Sequence, residues 1–89
     1  MKIVINKAFG GFAVPNEVID ILGCSKYPFD DENIKVRTSE VLINWVKVNP
    51  DSPLSVVDLP DEITDFEIAE YDGLESITAV LDEKIKHFS

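Results

Sequence analysis

The sequence predicts a small α+β domain in two layers, with two or three helices packed on one face of a sheet of three or four strands. Three observations carry this expectation. The chain opens with the β-branched run KIVI (Lys2–Ile5); Val41, Leu42, Trp45 and Val46 form an apolar stripe at helical spacing; a second apolar run, LSVVDLP (Leu54–Pro60), follows that stripe. Strands and amphipathic helices interleaved in a short chain bury their apolar faces by stacking helices on one sheet.

Each element has its own signal. KIVI lacks polar alternation, which suits a strand buried on both faces. Gly10-Gly11 then break the chain. PNEVIDILG, residues 15–23, reads as a short helix with Pro15 in its first turn and Gly23 past its end, and with Val18, Ile19 and Leu22 on one face. Residues 24–37, CSKYPFDDENIKVR, hold Pro28 and a polar DDEN run; they are expected to be a loop with a brief extended piece at Ile34–Val36. Thr38 reads as an N-cap, with Glu40 in the first turn where the helix dipole favours an anion. The helix it starts carries the Val41 stripe and stops at Asn49-Pro50.

Residues 61–73 fit either strand or helix. Phe66 and Ile68 alternate with acids and Asp72-Gly73 is a hairpin turn signal, which favours a strand. Leu74, Ile77, Leu81, Ile85 and Phe88 recur at three- and four-residue steps and predict a C-terminal amphipathic helix. Lys84, Lys86 and His87 would complement its dipole, and Asp82 with Lys86 would add an i,i+4 pair. The expected order is therefore β-α-α-β-β-α, with Ile3, Ile5, Val41, Leu42, Trp45, Val56 and Leu59 in the core.

Composition bounds the function. Eighty-nine residues make one domain, and a chain this short buries a modest share of its surface, so a homodimer would be a natural gain. The single cysteine, Cys24, excludes an intrachain disulfide framework and a cysteine zinc site. No run approaches a membrane span or a signal peptide, and the expected setting is cytoplasmic, without a membrane. A net charge of −9 argues against direct nucleic-acid binding, which needs clustered Lys and Arg. The charge is concentrated: Asp58, Asp61, Glu62, Asp65, Glu67, Glu70, Asp72 and Glu75 fall in one span that has no basic residue. Such a block is either a solvated face or a surface for a basic partner.

No catalytic set, metal site or cofactor motif is complete. Gly10-Gly11, between a strand and a helix, could offer backbone N–H groups to a phosphate or carboxylate, with Lys7 beside them as a point charge. The spacing matches neither the dinucleotide fingerprint nor a phosphate loop. The alternative is a plain turn needing positive φ, or close packing under Phe9 and Phe12. Arg37, the sole arginine, would bind an anion or pair with an acid of the 30–32 run. His87 at a helix end and Cys24 after a helix-ending glycine lack the neighbours that would make either a catalytic group.

Several stretches together resemble a family of small uncharacterised proteins carried by bacteriophages and prophages. They are KIVINKAFGGFAVPNE, RTSEVLINWVK, LSVVDLPDEI and EIAEYDGLESI, in that order along the chain. The family often has a cysteine where Ala8 stands and a serine N-cap where Pro15 stands, and the tail ITAVLDEKIKHFS is not its usual ending. The resemblance implies a bacterial host cell and no known activity. Lys7, Gly10, Gly11, Phe12, Arg37, Tyr71 and Asp72 lie on matching positions and are the candidate ligand-binding residues. The first functional expectation is a non-enzymatic interaction or inhibitory factor acting on a host protein with a basic surface. The alternative is a small-ligand protein holding an anion or nucleotide at the Gly10-Gly11 loop.

Overall fold

A computed structural model describes residues 1–88. The elements run β1 (Lys2–Asn6), α1 (Asn16–Leu22), α2 (Asp30–Arg37), α3 (Glu40–Val48), β2 (Leu54–Asp58), β3 (Asp65–Tyr71), β4 (Leu74–Leu81) and β5 (Lys84–Phe88). The α+β class holds, with three helices and the strands divided between two sheets. One is the antiparallel pair β1-β2, the other a three-stranded antiparallel meander in the order β3-β4-β5.

β1 explains the stacking. Its side chains alternate: Val4 joins Val14, Val18, Val36, Leu42, Ile43 and Leu54 in a core under the helices. Ile3 and Ile5 point the other way, where they join Val57, Leu59 and Ile77 in a second core, flanked by Phe66, Ile68 and Phe88. Helices cover one face of β1-β2, and the meander covers the other. That is why KIVI is apolar at consecutive positions, all of Ile3, Val4 and Ile5 being fully buried. Leu42 and Leu59 are buried as expected, while Val41, Trp45 and Val56 pack at the margin of the helical core.

Three local expectations are corrected. Residues 30–37 are the helix α2, not a loop with an extended end: Asp30, Asp31 and Glu32 fill its first turn and Lys35 and Arg37 its last, the charge order that a helix dipole stabilises. The cap of α3 is Ser39, whose Oγ accepts the Leu42 N–H at 3.2 Å; Thr38 instead ends α2 and donates its hydroxyl to the Ile34 carbonyl. The C-terminal segment is β4 and β5, not an amphipathic helix. Glu75, Ile77 and Ala79 alternate inward on β4 and are buried, a period of two beneath the apparent helical spacing. The turn between these strands, Asp82-Glu83, has φ of +53° and +64°, as a two-residue hairpin turn demands.

Candidate functional site

The Gly10-Gly11 turn lies against the tip of the β3-β4 hairpin. Gly10 N–H donates to the Asp72 carbonyl at 3.1 Å. Gly73, in that tip, has its α-carbon pressed on the Gly10-Gly11 backbone: a Cβ there would meet the Gly11 nitrogen and lie 2.7 and 2.8 Å from Gly10 backbone atoms. Gly10 and Gly11 hold φ of +111° and +92°, which L side chains rarely adopt. Asn6, at the end of β1, fastens the junction. Its Nδ2 donates to the Ala8 carbonyl at 2.6 Å and the Gly73 carbonyl at 2.7 Å.

Behind the junction lies a buried ion pair. Arg37 closes α2 and Glu75 sits near the start of β4, and the two meet through Nη1–Oε1 at 2.7 Å and Nη2–Oε2 at 2.8 Å. Arg37 also donates from Nε to Asn33 Oδ1 (2.7 Å) and from Nη1 to the Val4 carbonyl (3.1 Å). Its guanidinium carbon stands 3.8 Å from the centre of the Phe12 ring, a desolvated cation–π contact. Glu75 Oε1 additionally accepts the Asn6 N–H at 2.8 Å. The arginine's partner is thus an acid 38 residues away, not one of the 30–32 run.

The pair also closes an edge of β1. Lys7 N–H bonds Pro53 C=O and Leu59 N–H bonds Met1 C=O, so the odd-numbered residues of β1 face β2. The polar groups of Val4 and Asn6 then face outward. Arg37 takes the Val4 carbonyl and Glu75 the Asn6 N–H, standing where a further strand would bond.

Of the candidate residues, Gly10, Gly11, Phe12, Arg37 and Asp72 are brought together at this junction, with Arg37 and Phe12 inside it. Lys7 and Tyr71 stand on its rim, in a shallow depression shared with Glu70 and Ser76. Tyr71 is 73% exposed, and Phe9, which precedes Gly10 in the turn, is 69% exposed. Asn6 and Glu75 belong to the junction and were not singled out from the sequence. The signal for Glu75 was its place in step with Ile77 and Ala79 on one strand face.

The other acids of the 58–75 block lie outside. Asp58, Asp61, Glu62, Asp65, Glu67, Glu70 and Asp72 are all exposed. Among the described residues, the only cation within ion-pair distance of any of them is the chain's amino terminus, near Asp58 and Asp61.

Among the described residues, His87 and Cys24 stand apart. His87 lies on the exposed strand β5 opposite Thr78, not at a helix end. Burial pushes the Cys24 thiol above its ordinary pKa, and the Glu32 charge pushes the same way, against a backbone hydrogen bond that lowers it. Among the described residues no three His, Cys, Asp or Glu side chains converge as a metal site would need, and no helix is long and apolar enough to cross a membrane. Comparison with protein-family models, with curated proteins and with solved structures finds no match.

Proposed function

We propose that this protein is a non-enzymatic interaction factor, of phage or prophage type, that binds a host protein through a basic surface on that protein. The observation that carries the reading is the exposed acidic run from Asp58 to Asp72, seven carboxylates that, among the described residues, have no cation within ion-pair distance other than the chain's own amino terminus. An unneutralised single-sign surface steers an oppositely charged partner and sets register more than raw affinity. Phe9 and Tyr71, exposed beside Asp72, add the aromatic contact that interfaces favour. The alternative of an anion held at Gly10-Gly11 is weakened because Arg37 engages Glu75, Val4 and Asn33 inside the fold.

The test is capture from a bacterial lysate at low and high salt, with the protein and with an Asp65→Asn, Glu67→Gln, Glu70→Gln variant as bait. A partner recovered at low salt, lost at high salt and lost with the variant is the expected result. Capture indifferent to both would refute the reading.

A further inference from the structure

Among the described residues the meander has two edges with no strand beyond them, β3 and β5, and they differ. The two-residue turn Asp72-Gly73 makes Tyr71 and Leu74 a hydrogen-bonded pair, so the odd-numbered residues of β3 bond to β4. The N–H and C=O groups of Phe66, Ile68 and Glu70 therefore face the open edge. One of them is covered: the Asp65 carboxylate accepts the Phe66 N–H at 2.9 Å. No strand lies beyond β3 among the described residues. On β1 the fold closes the outward edge with Arg37 and Glu75, both buried. On β3 it leaves a row of backbone groups with one exposed, displaceable carboxylate over it.

The side chains flanking this edge select what could join it. Asp65 and Glu67 stand on the solvent face of β3, while Phe66 and Ile68 are half-buried on the core face. A hollow lined by Met1, Pro60, Ile63 and Phe66 lies at the start of the strand. The opposite edge carries Lys84 and Lys86 on β5, which would repel a cationic segment.

We propose that the free edge of β3 accepts, as a fourth strand of the meander, an extended partner segment in which Lys or Arg alternates with apolar residues. Its cations lie beside Asp65 and Glu67, its apolar side chains extend the row of Phe66 and Ile68, and its backbone bonds Ile68 and Glu70. The Asp65 carboxylate leaves the Phe66 N–H to a peptide carbonyl and turns to a cation. Main-chain bonds supply affinity in this mode and alternate side chains supply specificity. The inference rests on the proposed binding of a basic partner and names the segment it would use.

The test uses a short fluorescent peptide of alternating Lys and Val and its analogue N-methylated throughout the backbone, which keeps the charge but cannot pair as a strand. The unmethylated peptide is expected to bind at least about tenfold more tightly and to slow hydrogen exchange at the Ile68 and Glu70 amides. Equal binding of the two peptides, or slowed exchange at Ile85 and His87 instead, would overturn strand addition at β3. So would slowed exchange at Ile68 and Glu70 that depends on protein concentration without peptide, since a second copy would then be the occupant. The salt-sensitive capture described above would survive each of these outcomes.

Discussion

Arg37 of α2 and Glu75 of β4 form a two-pronged ion pair whose side chains are each only 5% exposed. It joins the helical layer to the meander past the edge of β1. Glu75 also stands directly opposite Glu70 across the β3-β4 ladder, a like-charge pairing that costs stability unless a cation is near. Arg37 is that cation.

Removing one partner is expected to cost far more than removing both. Arg37→Ala or Glu75→Ala leaves an uncompensated buried charge, and each is expected to lose about 3–5 kcal/mol. The double change Arg37→Met, Glu75→Leu, which fills the space with apolar groups, is expected to lose less than either single change. Urea denaturation of the three variants checks the order.

The glycines divide by what surrounds them. Gly73→Ala places a methyl into the Gly10-Gly11 backbone at a φ of +88°, and neither side can yield without opening the junction. A loss of about 2–4 kcal/mol is expected. Gly11→Ala meets nothing within 4 Å and bears only the strain of its positive φ, about 1–2 kcal/mol. Thermal unfolding that ranked Gly11→Ala as the worse variant would contradict the junction described above.

The turn Asp82-Glu83 can be improved. Glu83 holds a φ of +64° that costs a side-chain-bearing residue roughly 1 kcal/mol and costs glycine little. Glu83→Gly is expected to raise stability by no more than about 0.5 kcal/mol, because the entropy it adds to the unfolded chain offsets much of the relieved strain. Denaturation midpoints of the two proteins measure it.

Cys24 is expected to alkylate slowly. Its thiol is raised above the ordinary value by burial and by Glu32, so at pH 8 a smaller fraction is thiolate than in a free cysteine, and the thiolate is the reacting form. The rate of iodoacetamide labelling should rise toward higher pH than it does for a free cysteine. Fast labelling at pH 7 would mark an activated thiol and reopen an enzymatic role.

Where the residues announced their own chemistry, the sequence was sufficient. Pro15 and Gly23 bracket α1, the Val41 stripe marks α3, and Asp72-Gly73 turns the β3-β4 hairpin. The helix expected at the C-terminus failed for a physical reason. β4 buries an acid and an alanine where an apolar alternation would have betrayed a strand, and its hairpin turn uses Asp-Glu in place of a glycine-bearing pair. α2 buries only Val36 and Arg37, so it has almost no apolar stripe to read. The candidate site was half legible. The glycine turn, Arg37 and the Tyr71-Asp72 tip do come together, but Glu75 looked like one more surface acid until its distant partner enclosed it.

The most direct measurement is the dissociation constant of the complex with the captured host partner across a range of salt concentrations. It should be made for the protein and for its Asp65→Asn, Glu67→Gln, Glu70→Gln variant. Affinity that falls steeply with salt, with a shallower slope and weaker binding for the variant, is the expected result. Identical constants and slopes for the two proteins would show that the acidic surface around β3 is only solvated, and would contradict the central claim.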